Sequence, residues 1–316
     1  MLITATKQDE KAITPPDNSL YGYPEAEVAL DQLGDYLGSV QDDTVQVRVS
    51  LGNGTKVAIH LNRAVKADHL VVMFHGMRRV PKEKSLAMFF RHQWTGVYNA
   101  PILCISDPTT DGPSATQGPR SGLCIGSPSD PLAPQLNKII DAVCQHLQIA
   151  LDHCVLYGAS AGAGSAILVG AQRTSGGGVV GVCPLLLLDK VKGQSVGAAA
   201  EAVGLTEAEV RTLLTERPEL ISPMHAMQAS IQSGSPTRFF IAQCKEDNLW
   251  LSRNFRHLWQ FFELPLGEGG GVDRTGKLSV ATYSSVTGHG AEPGVLSRAL
   301  WRAAMAHVLP KATSLV

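Results

Sequence analysis

The sequence predicts an α/β protein: an eight-stranded, mostly parallel sheet with helices on both faces. Three observations carry this. Short apolar runs alternate with helical patterns along most of the chain. An amino-proximal pair of alternating segments reads as a hairpin. Near mid-chain, an apolar run stops at Gly158-Ala159-Ser160-Ala161-Gly162 and a small-residue helical pattern takes over.

Taken in order, residues 1–20 are polar with Pro15-Pro16 and are expected to form a loose lead-in. Glu25 to Leu37 has helical spacing at Val28, Leu30, Leu33 and Leu37. Val45–Val49 and Val57–Leu61 alternate with period two around Gly52-Asn53-Gly54, a turn sequence. Apolar strands are then expected at Leu70–Phe74, Ile102–Ile105, Cys154–Tyr157, Val179–Val182, Phe239–Ala242 and Leu278–Tyr283. Helices are expected near Lys82–Trp94, Gln135–Gln148, Ala161–Gln172, Met224–Gln232, Leu249–Phe262 and Val295–Val308. Near-continuous apolar strands of this kind are those of a sheet covered on both faces. With no internal repeat or linker, residues 1–316 form one domain. A long connection breaks the rhythm after Val182, and ordinary connections are far shorter. In it Thr206 and Glu209 have capping-box spacing, followed by Val210, Leu213 and Leu214 on one helical face. Residues 190–222 are therefore expected to be a small helical lid over the carboxyl ends of the strands, where ligands bind in open α/β sheets.

Composition narrows the function classes. The 316 residues carry 27 basic and 28 acidic side chains, a net charge of −1. No basic block or aromatic-basic interleaving points to nucleic acid. The longest apolar stretch, Val179 to Leu188, is too short to span a bilayer. The first ten residues have no apolar core of a secretory signal. The six cysteines form no Cys-x-x-Cys pair and no metal-ligand spacing, and read as reduced core thiols of a cytoplasmic protein. No cofactor and no metal are expected. Gly158 to Gly164 is glycine-rich, but it lies mid-chain and off the dinucleotide-binding spacing.

Gly-x-Ser-x-Gly between a strand and a helix is the sequence form of a nucleophile elbow, which exposes the serine at the positive end of the following helix. Such a motif also arises by chance in glycine-rich loops, so the order of its partners matters. An acid is expected after a later strand, and Phe239–Ala242 runs into Cys244-Lys245-Glu246-Asp247. Asp247 is the preferred acid and Glu246 the alternative, because a one-residue change of register exchanges them. A base is expected last, in a loop after the final strand, and of ten histidines only His289, between Gly288 and Gly290, has both context and chain position.

The order Ser160, Asp247, His289, the strand alternation and the elbow together resemble the α/β-hydrolase family, over about Val45 to Val308. The resemblance implies serine attack on an acyl carbon, proton transfer by histidine and orientation of the imidazole by the carboxylate. It also implies an oxyanion hole formed by the backbone N–H groups of Ala161 and Met77, the latter in Phe74-His75-Gly76-Met77. His75 is expected to shape that loop without a catalytic role. Arg78 and Arg79 follow. They are either rim residues for an anionic or sugar-like substrate or a solvated helix start, and the second reading is preferred. Asp107, in Ile105-Ser106-Asp107-Pro108, is a possible pocket residue. This Asp-Pro is similar to that of bacterial glycan O-acetyltransferases of the accessory-secretion and capsule type. The expected activity is serine-dependent cleavage of a carboxylic ester. The alternatives are acyl (acetyl) transfer to a glycan hydroxyl and a non-catalytic binding protein, and the substrate is a small-molecule ester or a glycan.

Overall fold

A computed structural model describes residues 2–3, 19–22, 24–76, 87–110, 123–127, 129–187, 196–197, 200, 206–248, 255–264, 270–285, 288–289, 292 and 294–309. In chain order the first strands are β1 (Leu2–Ile3), β2 (Ser19–Tyr21) and β3 (Glu27–Ala29), followed by helix α1 (Leu33–Ser39). Next come β4 (Thr44–Ser50), β5 (Lys56–Asn62), β6 (Leu70–Phe74), β7 (Met88–Phe90), α2 (Thr95–Tyr98), β8 (Ile102–Ile105) and α3 (Leu132–His146). The second half holds β9 (Cys154–Ala159), α4 (Ala161–Ala171), β10 (Gly178–Val182), α5 (Glu207–Glu216) and α6 (Pro223–Gln232). It ends with β11 (Arg238–Cys244), α7 (Arg256–Phe261), β12 (Gly270–Val272), β13 (Leu278–Tyr283) and α8 (Gly294–Val308).

All eight expected strands lie in one sheet, but that sheet has eleven strands, not eight. Its order is β1-β13-β11-β10-β9-β6-β8-β5-β4-β3, with β12 on β13. The pairings from β1 to β8 along this path are parallel, and β5 is antiparallel to both β8 and β4. The three added strands are two or three residues long, too short to show a periodicity. The parallel centre is buried on both faces: β6, β9 and β10 have no residue outside the core. One face packs against α3, α4 and α6 and the other against α8, which gives two principal apolar clusters.

Three local expectations are corrected. The segment 1–20 is not simply a loose lead-in, because Leu2–Ile3 pairs with Thr282–Tyr283 and Ser19–Tyr21 with Met88–Phe90. Glu25 to Leu37 is not one helix. Val28 is buried between exposed Glu27 and Ala29 in a strand on β4, and the helix starts at Leu33. Lys82 to Trp94 contains β7 where a helix was expected: Met88, Phe89 and Phe90 suit a pleated, half-buried surface.

His60, on β5, is buried and its two ring nitrogens have no partner among the described residues. Its ring lies 5.5 Å from that of Phe89 and 5.2 Å from that of His92. Burial, followed by the proximity of His92, lowers its pKa to about 4. Between that value and the unfolded value near 6.5, the unfolded chain takes up a proton that the native state refuses. Stability is therefore full above pH 6.5 and falls as the pH drops towards about 4. At about 1.4 kcal/mol per pKa unit the loss is on the order of 3 kcal/mol. Urea midpoints measured from pH 7 to 4 should fall for the native protein and fall less for His60→Leu. Equal slopes would refute the account.

Candidate active site

β9 delivers Ser160 at its carboxyl end and α4 leaves immediately after it. Ser160 has φ 55° and ψ −122°, a region that costs a side-chain-bearing residue on the order of 1–3 kcal/mol. The surrounding backbone holds it there: its N–H donates to the Val182 carbonyl at 2.9 Å, and its carbonyl accepts from Leu185 N–H at 3.0 Å. The flanking glycines are required by crowding. A Cβ on Gly158 would sit 2.1 Å from the Gly162 carbonyl oxygen, and one on Gly162 would sit 2.4 Å from that of Phe74. The turn thus packs directly against the end of β6 and the following His75.

His289 arrives from the segment after β13, and Asp247 from the turn after β11. Ser160 Oγ lies 3.0 Å from His289 Nε2, and His289 Nδ1 lies 2.7 Å from Asp247 Oδ2. The ionised carboxylate is an acceptor, so Nδ1 carries the proton and Nε2 accepts from the serine hydroxyl. The Asp247 side chain is 3% exposed and that of His289 is 35% exposed. The dyad is thus anchored inside and open at the serine. The three residues that the sequence order picked out, separated by up to 129 positions, stand in one hydrogen-bonded row.

No family model matches the sequence, and no curated protein matches it either. Solved structures do share its fold. The chain is similar to the capsule O-acetyltransferase of Neisseria meningitidis serogroup A, with 14% identity and a TM-score of 0.53 over 81% of this chain and 91% of that one. It is also similar to the Glycosylation Associate Protein (Gap123) complex from Streptococcus agalactiae, with 19% identity and a TM-score of 0.51 over 77% of this chain. There it spans 42% of the matched chain's length. An acetyl xylan esterase from Paenibacillus sp. R4 aligns over 95% of this chain and 91% of its own, with 13% identity and a TM-score of 0.47. The chain has the α/β-hydrolase fold.

On that fold the remaining expected site residues are found as follows. Ala161 opens α4, so its N–H has no carbonyl four residues back within the helix. Met77 and Arg78 lie outside the described residues, so the second donor and the rim arginine stay expectations. His75 does shape its loop: Nδ1–H donates to the Gly76 carbonyl at 2.8 Å, and Nε2 accepts from Asp107 N–H at 3.0 Å. Asp107 is buried and does not present a free carboxylate to a pocket. One oxygen accepts from Thr109 N–H and Oγ1–H, and the other from Cys124 N–H at 2.9 Å. It ties the start of the long loop after β8 to its far end.

Glu246 turns away from the histidine. Its Oε2 accepts from Ser285 N–H at 2.9 Å and from the Cys244 thiol at 3.2 Å. These bonds, the backbone one first, hold its carboxyl down at about 2. Sequence reasoning missed Gln243, whose Nε2 donates to Asp247 Oδ2 at 3.3 Å. The available signal was an amide within an otherwise apolar strand.

Among the described residues one arrangement has metal-ligand chemistry: a ligand atom from each of Cys183, Asp247 and His289 lies within 4.8 Å of the others. The Asp247–His289 hydrogen bond accounts for two of them. The third is a thiol pushed up to about 12 by burial, and it stands 3.3 Å from the Tyr283 hydroxyl. A neutral thiol is a poor ligand. Among the described residues no helix is long and apolar enough to cross a membrane.

Proposed function

We propose that the protein is a serine hydrolase that cleaves a carboxylic ester through an acyl-enzyme on Ser160. The observation that carries this reading is the row Ser160 Oγ, His289 Nε2 and Nδ1, Asp247 Oδ2, at 3.0 and 2.7 Å, on a strained strand-to-helix turn. Ser160 Oγ attacks the acyl carbon while His289 Nε2 takes its proton. The imidazolium is stabilised by Asp247 and returns the proton to the departing alcohol. Water, deprotonated by the same nitrogen, then releases the acid and restores the serine. The negative charge that develops on the acyl oxygen is received by Ala161 N–H, with Met77 N–H as the second donor. Such preorganised donors contribute a few kcal/mol each.

The insertion 190–222 serves in this reading as a lid. Its described part supports it: α5 starts at a capping box in which Glu209 N–H donates to Thr206 Oγ1 at 3.2 Å. Its Val210 is buried in a cluster with Ala161, Leu168 and Leu185. The insertion thus packs on the helix that starts at the nucleophile.

A second reading, acyl transfer to a sugar hydroxyl, uses the same residues and is motivated by the fold shared with a capsule O-acetyltransferase. One experiment separates them. Purified protein should release nitrophenol from a nitrophenyl acetate with a pre-steady-state burst. Added candidate sugar acceptors should leave the rate of acid formation unchanged for a hydrolase, and divert acyl groups into sugar ester for a transferase. No burst, together with no labelling of Ser160 by a fluorophosphonate, would leave only the non-catalytic binding protein.

A further inference from the structure

A fully buried ion pair lies outside the row of reacting groups, between two chain segments that share no sheet pairing. Arg91, directly after β7, places Nη1 2.7 Å from Glu292 Oε1, and the side chains are 0% and 1% exposed. The guanidinium carbon stands 4.0 Å from the Trp94 ring centroid, a cation–π contact in a desolvated setting. The same Nη1 lies 2.6 Å from the Tyr98 hydroxyl and 3.0 Å from that of Tyr157. The Tyr157 hydroxyl also donates to Glu292 Oε2, at 2.5 Å.

The positions of these residues in the chain give the cluster its meaning. Glu292 comes three residues after His289, and Tyr157 three residues before Ser160 on β9. The Tyr157–Glu292 bond therefore joins the strand that carries the serine to the segment that carries the histidine, below the point where the two side chains meet. A buried ion pair adds little to net stability compared with apolar residues of the same shape. It does fix geometry, because every alternative placement of Glu292 leaves a charge buried alone. Ser160 and His289 have to be held within a fraction of an ångström, since a displacement of 1 Å can cost about a hundredfold in rate. Besides the Ser160–His289 contact, Tyr157 reaches Glu292 both directly and through Arg91 Nη1.

We propose that Glu292, held by Arg91 and Tyr157, is a positioning residue that sets the distance between His289 and Ser160. This rests on the hydrolase reading of the site. Removing Glu292 would strand the Arg91 charge and endanger folding, so the test variant is Tyr157→Phe, which deletes one hydroxyl and leaves the ion pair in place. The control is Asp141→Asn. It breaks the ion pair of another buried arginine, Arg173, at 2.9 Å just after α4, and touches none of the site residues.

Three readouts are taken well below every melting midpoint: kcat, KM, and amide hydrogen exchange of the peptide spanning 285–294. Tyr157→Phe should lower kcat about tenfold to a hundredfold with KM unchanged, and speed exchange in that peptide. Asp141→Asn should lower the melting temperature and leave kcat and that exchange as they were. The proposal is overturned if folded Tyr157→Phe keeps the native exchange pattern in 285–294 or keeps native kcat. It is equally overturned if Asp141→Asn produces the same kcat loss, which would mark general softening. If the native protein turns over no ester, the hydrolase reading fails separately, and exchange alone decides whether Tyr157 braces the histidine segment.

Discussion

Ser160→Ala should abolish ester turnover while the protein stays folded. The hydroxyl is the only group in the row able to form the acyl bond, so its loss should lower kcat by several orders of magnitude, on the order of 10⁴ to 10⁶. The protein should not suffer, because among the described residues the hydroxyl's one hydrogen bond is to the half-exposed His289. Alanine at φ 55° inherits the strain unchanged, so its melting temperature should match the native one. Ser160→Gly removes both the nucleophile and the strain. Glycine accepts positive φ at no steric cost, and it should be at least as stable as the native protein despite its greater unfolded-state freedom. Steady-state kinetics with a nitrophenyl ester and thermal melts of the three proteins provide the check. Native-level turnover by folded Ser160→Ala would remove the proposed mechanism. A lower melting temperature for Ser160→Gly would show that the backbone angle stores no strain.

Legibility in the sequence followed the length and regularity of each element. β6, β9, β10 and β11 are runs of buried apolar residues bounded by turn residues, and their positions were plain. The elbow was plain for a physical reason too: Gly158 and Gly162 have no room for a Cβ, so packing requires both glycines. The edges were not legible. β1, β3 and β12 have two or three residues each, and only pairing to an existing strand gives them their form. The run Met88–Phe90 sat inside a helical spacing, and its partner Ser19–Tyr21 lies far away in the chain, where no local pattern announces it. At the site, chain order separated His289 from nine other histidines. The partners of Asp107 were not legible, because a strand-end carboxylate looks the same in sequence whether it faces a ligand or the N–H groups of its own loop. Glu292 and Arg91 were invisible for a different reason: a charge pair 201 residues apart leaves no periodic mark on either segment.

Asp247→Asn should cost about 10³ to 10⁴ in kcat, and Glu246→Gln should change it little. The geometry separates two carboxylates adjacent in sequence. Asp247 is 2.7 Å from His289 Nδ1, whereas Glu246 spends its oxygen on Ser285 N–H and the Cys244 thiol. With asparagine at 247, the amide must offer His289 either its oxygen, without the charge that stabilises the imidazolium, or its NH₂, which forces the proton onto Nε2. In the second case Nε2 no longer accepts from Ser160. Gln243 favours the first outcome, since its Nε2 donates to the same Asp247 oxygen that faces His289, and an NH₂ there would meet a second donor. Glu246 acts elsewhere, as a clasp between the end of β11 and the segment after β13. Its carboxyl is held down at about 2, below an unfolded value near 4.5. The clasp therefore contributes fully above pH 4.5 and is lost only as the pH falls through about 2, so it makes no step in activity near neutrality. Glutamine at 246 still offers Ser285 N–H an acceptor. Parallel kinetics of the two variants at neutral pH, with melting curves to show that both fold, settle the assignment. A dead Glu246→Gln beside an active Asp247→Asn would reverse it, and two active variants would mean that neither of these carboxylates orients His289.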